Sequence, residues 1–228
     1  MAQVSLARKK ELNEPDEFIT LSNKALEYSR QNKSMIMSVV IGALALIIVI
    51  SGYQYYAQSR GNKAFAQYAS DMAWYETALK EKKGDVPLKD VKEKGDSFLG
   101  KYAGTTAAML AQAKYAGIYF KEKDFSAAEK LYNDLLSESK PGTALRNISL
   151  CALAQCYEAM DKTDQAVARY QELLSGENEI KKDEALFHLG LIYEKKGDQA
   201  QSRDAYSRLA KEFSDSMYVE MAKEKVDG

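Results

Sequence analysis

Two kinds of apolar pattern divide the chain. Between Ser34 and Ser59 no charged residue occurs, and MIMSVVIGALALIIVISGY (Met35 to Tyr53) is apolar on every side of a helix rather than along one stripe. Its 19 residues would make a helix of about 28 Å, close to a hydrocarbon core of about 30 Å. The pattern predicts a transmembrane helix over residues 35–56, where a core helix of a water-soluble domain would carry a polar face. A cleaved leader fits poorly, because 34 residues precede the run and SGYQYYAQS after it offers no clear small-x-small site. Tyr53, Tyr55 and Tyr56 suit an interfacial aromatic belt.

Elsewhere apolar residues recur every three or four positions. Before the span, Phe18, Leu21, Ala25 and Tyr28 follow Pro15 at helical spacing, which allows either a short amphipathic helix on a membrane face or a plain polar stub over residues 1–34. After it, one phrase is written three times: KDFSAAEKLYNDLL from Lys123, KTDQAVARYQELL from Lys162 and GDQAQSRDAYSRLA from Gly197. Each follows a second helical phrase, MLAQAKYAGIYFKEK, LCALAQCYEAMDK or LFHLGLIYEKKGD. Tyr119, Tyr157 and Tyr193 close the first helices, and Tyr132, Tyr170 and Tyr206 sit 13 residues further on, at periods of 38 and then 36. Small residues mark the expected crossings, Ala116, Ala154 and Gly190 in the first helices and Ala128, Ala166 and Ser202 in the second. Helix axes approach to roughly 8 Å only where side chains are short.

This pairing of helices with small crossing residues resembles the tetratricopeptide repeat, whose usual period is about 34. Here Ser202 stands where that repeat has alanine, no proline ends the repeats as expected, and loops such as SGENEIKKD are long. The resemblance implies an all-α domain over residues 57–228, with repeats at about 106–138, 144–176 and 183–212. YAGTTAAMLA from Tyr102 and FSDSMYVEMA from Phe213 share an aromatic, a hydroxyl residue three on and an alanine nine on, as at a helix end followed by a capped start. A degenerate hairpin at 62–101, with Trp74 and Tyr75 in its core, and a terminal capping helix at 215–226 are therefore expected.

Composition narrows the function. Net charge is −1 with signs interleaved, so no field is available to hold nucleic acid. With three prolines and 13 glycines among 228 residues, helix is favoured nearly throughout. Near the span, Lys24, Arg30 and Lys33 face Arg60 and Lys63 on the other side, a three-to-two bias toward a cytoplasmic N-terminus.

Chemistry-bearing motifs are scarce. The single histidine, His188, falls mid-helix and reads as solvent-facing or structural rather than catalytic. Cys151 and Cys156 lie about 140° apart around one helix, which suits neither a shared disulfide nor a shared metal, and read as small buried residues. No phosphate-binding glycine loop, nucleophile elbow or metal-ligand cluster is present, and the sequons at Asn32 and Asn147 are short enough to be accidental. The expectation is no enzyme, no cofactor, no metal and no small-molecule substrate.

A stack of such hairpins presents a concave surface for proteins or peptides. Register places Phe120 and Lys121, then Ile148, Gln155 and Glu158, then Phe187, Leu191 and Glu194 on that side. Repeats that grip a chaperone's C-terminal carboxylate carry lysine and asparagine where this chain has Ala113 and Gly117, Cys151 and Gln155, Phe187 and Leu191, so broad apolar binding is expected instead.

The order of parts, a stub, one span, an immediate helical continuation and a small repeat domain, resembles the bacterial inner-membrane family of ancillary Sec-translocon subunits. That resemblance implies a cytoplasmic N-terminus, a periplasmic C-terminal domain, and contact with the translocon and with periplasmic chaperones. The alternative is a scaffold for another cell-envelope assembly.

Overall fold

Helix-forming residues with few breakers become ten helices among the described residues of a computed structural model, which describes residues 17–81 and 86–227. Pro15, the side chain of Phe18 and the turn at 82–85 of the expected first hairpin lie outside the described residues. The chain divides into two units, residues 1–58 and 59–228.

In the first unit, α1 (Glu17–Gln31) and the N-terminal part of α2 (Lys33–Glu81) are separated by Asn32, whose amide and side chain both donate to the Tyr28 carbonyl, at 2.9 and 3.1 Å. Within α2 the apolar run has a mean hydropathy of 2.7 over 18 residues, none of them buried. Ser38 returns its hydroxyl to the Ser34 carbonyl at 3.0 Å, which satisfies it without water.

The helical continuation expected beyond the span is present: α2 is one unbroken helix of 49 residues and passes residue 56 without a break. No proline interrupts it, and a side chain at Gly52 or Gly61 would meet open space. Nothing local stops a helix there.

In the second unit, the C-terminal part of α2 and α3 (Leu88–Tyr102) precede three hairpins: α4 (Thr106–Lys121) with α5 (Phe125–Glu138), α6 (Ala144–Ala159) with α7 (Thr163–Ser175), and α8 (Lys182–Lys196) with α9 (Gln199–Glu212). The short α10 (Val219–Asp227) closes the stack. It starts four residues after the expected position, since Ser216 holds the preceding turn by accepting from the Tyr218 amide at 3.2 Å.

One turn is used three times. The carbonyls of Tyr119, Tyr157 and Tyr193 accept from the amides of Asp124, Lys162 and Asp198 at 2.8 to 2.9 Å. The residue before each donor, Lys123, Asp161 or Gly197, is left-handed, at φ 62°, 56° and 76°. Only glycine adopts that conformation without cost. Asp124 and Asp198 then cap the second helices through the amides of Ala127 and Gln201, both at 3.1 Å.

The crossings are as small as the sequence requires. Ala116, Ala128, Ala154 and Ala166 are fully buried. In the third hairpin Gly190 and Ser202 replace the alanine pair: the glycine lets the helices close until the Ser202 hydroxyl donates to the Gly190 carbonyl at 3.0 Å. The serine that departs from the repeat pattern is thus compensated across the crossing. Tyr132, Tyr170 and Tyr206 are buried beside these crossings.

Of the pair expected in the first hairpin's core, Tyr75 is buried, and Trp74 is half-buried and packs against the core, with the Lys94 ammonium 4.7 Å from its ring centroid.

Candidate protein-binding surface

The eight residues expected on one side of the first helices do not share one environment. Lys121, Ile148 and Leu191 are exposed, while Phe120, Gln155, Glu158, Phe187 and Glu194 are half-buried. Their partners explain the difference.

Glu158 and Glu194 each follow the tyrosine that closes a first helix. Glu158 accepts from the Tyr170 hydroxyl at 2.5 Å, and Glu194 accepts from the Tyr206 hydroxyl at 3.3 Å, both across 12 residues of sequence. A buried phenol needs an acceptor at its tip, and this position supplies one in two hairpins. In the remaining hairpin Phe120 occupies the same place and packs on Phe125, with ring centroids 5.4 Å apart. Burial, and next the charge of Glu158, raise the Tyr170 hydroxyl far above its ordinary value, so it stays a donor.

The same residues join neighbouring hairpins. Gln155 donates to Glu184 at 2.6 Å. His188 Nδ1 lies 2.9 Å from Glu158 Oε1, without the alignment of a hydrogen bond, and the ring stacks on Tyr170 at 5.4 Å. Lys181 pairs with Glu184, and chiefly that hydrogen bond raises the lysine's pKa. His188 is structural here, as its place on the helix suggests.

At the end of the stack, Phe187 lies stacked against Tyr218, with centroids 4.7 Å apart. It belongs to a cluster built on Leu186, Tyr206, Leu209 and Ala222. Lys225 of α10 reaches Glu194 at 2.6 Å, and that hydrogen bond above all holds the Glu194 carboxyl below its ordinary range. Phe187 and Glu194 therefore help to dock the terminal segment, whereas Ile148 and Leu191 present apolar surface outward.

Sequence reasoning missed Asn147, which is 3% exposed and donates to the carbonyls of Asn178 and Ile180 at 2.8 and 3.0 Å. It organises the long SGENEIKKD loop, and its burial is incompatible with the sequon being modified in the folded chain. The signal was a polar residue one turn into a helix, opposite an overlong loop.

Cys151 and Cys156 are unpaired and buried. Burial pushes Cys156 up to about 12, and burial with Glu184 nearby raises Cys151 too. Thiolate is the nucleophile, so the native chain should resist iodoacetamide at pH 8. Cys156 should react on the order of a thousandfold more slowly than in the unfolded chain, from the shift of 9.0 to about 12. Mass spectrometry would read this, and fast native labelling would contradict the burial. Among the described residues no group of His, Cys, Asp and Glu could hold a metal ion.

The family described as tetratricopeptide repeat-like domain matches residues 27–227. The chain belongs to this family. Such repeat scaffolds bind proteins and are typically non-catalytic, and the match takes in the long apolar helix as well as the hairpins. Among solved structures, a tetratricopeptide repeat protein from Parabacteroides merdae is similar at 15% identity and a TM-score of 0.56, over 71% of this chain and 59% of its own. The chain thus spans less than two thirds of that protein. BtubC from P. vanneervenii is similar at 13% identity and a TM-score of 0.55, over 75% of this chain and 81% of its own. At these identities the likeness is one of fold. No curated protein matches the chain.

Proposed function

We propose that the chain is a membrane-anchored adaptor that binds other proteins on the outward face of its first helices. The observation that carries this reading is a repeat-like hairpin stack preceded by a helix that leaves an apolar window of 18 residues wholly uncovered. In water such a surface is costly, at roughly 25 cal/mol for each Å² of apolar area, and a bilayer removes that cost. The three-to-two bias of basic residues supports an N-terminus in the cytoplasm and the hairpins in the periplasm. The order of parts supports the Sec translocon and periplasmic chaperones as partners.

Ile148 and Leu191, at 39% and 37% exposure, are the apolar residues of the face that dock nothing in the chain itself. Binding there rests on apolar area and should depend weakly on salt. The test is the full chain, purified from native membranes in mild detergent. The unaltered chain should bring down the Sec channel, and Ile148→Ser combined with Leu191→Ser should cut that yield about tenfold, since covering the exposed part of each side chain is worth roughly 1 kcal/mol. Both positions lie outside the Phe187–Tyr218 stack, so the fold is spared. Undiminished yield would move the site elsewhere, and an unaltered chain that brings down no Sec channel would end the translocon reading.

A further inference from the structure

The adaptor reading makes no use of the space between α2 and α3. The three repeat hairpins close on alanine, glycine and serine, whereas here Tyr68 of α2 meets Phe98 of α3 at 6.4 Å between centroids, and Phe98 rests on Tyr102 of its own helix at 5.1 Å. The Tyr68 and Phe98 rings hold the two backbones apart. They leave a cavity of about 480 Å³, lined by Trp74, Phe98 and Tyr102 together with Asp71, Glu93 and Lys94.

The charge at the foot of this cavity is unusual. Asp71 is 6% exposed, and its Oδ1 accepts from Gln67 at 3.0 Å. A carboxylate so buried is stabilised by a close cation, and the nearest ammonium, Lys94, stands at 3.9 Å. The Lys94 side chain is 39% exposed and rests 4.7 Å from the centre of the Trp74 ring. It thus marks a point that satisfies two conditions for a cation at once, an aromatic face and a buried carboxylate, while being held only loosely there.

We propose that this cavity receives an arginine side chain of a partner polypeptide, which displaces the Lys94 ammonium and takes over both of its neighbours. A guanidinium suits the place better than an ammonium, because its plane stacks on an indole while its fork of donors meets a carboxylate. The volume exceeds what one ammonium needs and admits a side chain with part of its backbone. Asp71, Asp90 and Glu93 in the lining outnumber the ammoniums of Lys94 and Lys101, and that excess of negative charge draws a cation inward. The proposal does not depend on which protein the adaptor serves.

Trp74 is the chain's single tryptophan, so its emission reports on this cavity alone. The experiment titrates the full chain in detergent micelles with a capped peptide, Gly-Ala-Arg-Ala-Gly, and with the same peptide carrying citrulline, which keeps the shape and removes the charge. The arginine peptide should change the emission saturably, and the citrulline peptide should bind about tenfold more weakly or worse. Lys94→Gln, which removes the resident competitor, should tighten the arginine peptide by about three- to tenfold, and Asp71→Asn should weaken it by about tenfold or more. Should Asp71→Asn fail to fold, the Lys94→Gln result decides alone. Equal binding of the two peptides, or no tightening in Lys94→Gln, would overturn the proposal. So would tetramethylammonium binding as well as the arginine peptide, which would make this a site for small amines.

Discussion

Tyr170→Ala should cost the second unit about 3–5 kcal/mol, as other large-to-small changes of buried aromatics do. The side chain is fully buried between hairpins, touching the His188 ring on one face. Its removal opens a cavity at the joint between the second and third hairpins and takes the hydroxyl from Glu158. Tyr170→Phe separates the two effects. It keeps the ring and loses only the hydrogen bond to a partly exposed carboxylate, so it should cost about 1 kcal/mol. Tyr157→Ala, at the end of the first helix, should cost on the order of 3 kcal/mol. Tyr28→Ala, in the first unit and exposed, should leave the melting of the hairpins unchanged. Urea unfolding followed by circular dichroism measures all four. Equal, small effects at Tyr170 and Tyr28 would mean that the hairpins do not interdigitate through their tyrosines.

Gly190→Val should be comparably damaging, for the opposite reason. A Cβ on Gly190 would lie 2.5 Å from Cε1 and 2.6 Å from Cζ of Tyr206, a ring that is 1% exposed and has no room to turn away. Overpacking a well-filled core costs typically 1–3 kcal/mol and sometimes more. Here separating the helices also breaks the bond from Ser202 to the Gly190 carbonyl. Gly117→Ala, in the first repeat, serves as the control. Its Cβ would meet only the Tyr132 hydroxyl at 3.6 Å, an ordinary contact. Since alanine is favoured over glycine in a helix by about 1 kcal/mol, that change should be neutral or stabilising. A Gly190 variant that melts with the unaltered chain would show that the third crossing is looser than its geometry.

Much of this architecture is local and therefore legible in the chain. The uncharged run declares a helix apolar all round, because each residue's preference for lipid or water is its own property. Tyr119, Tyr157 and Tyr193 mark the three turns because a helix end and a left-handed residue fall within a few positions of one another in each, joined in the first and third by a capping aspartate. Small residues 12 apart identify crossings because two short helices joined by a short turn have almost one way to meet.

The candidate face was only partly legible. Its register placed eight residues together, yet a register states which way a side chain points and not what waits for it there. Glu158 and Glu194 accept from tyrosines in the second helices, and the tyrosine–glutamate spacing of 12 that announces this is plain in the sequence once its reason is known. Gln155 finds Glu184 only because a whole hairpin returns beside its neighbour. Phe187 meets Tyr218 through the terminal segment, across 31 residues of chain.

The sequence by itself thus determined the helices, their pairing into hairpins and the apolar segment, all of which rest on periodicity and on turn chemistry within one repeat. Only the tertiary structure decided which polar side chains join one hairpin to the next and which apolar residues remain uncovered. It also decided that aromatic rings hold α2 and α3 apart around Asp71. The reason is physical: burial and partnership depend on the sum of the elements around a residue, and that sum exists only after the hairpins have stacked.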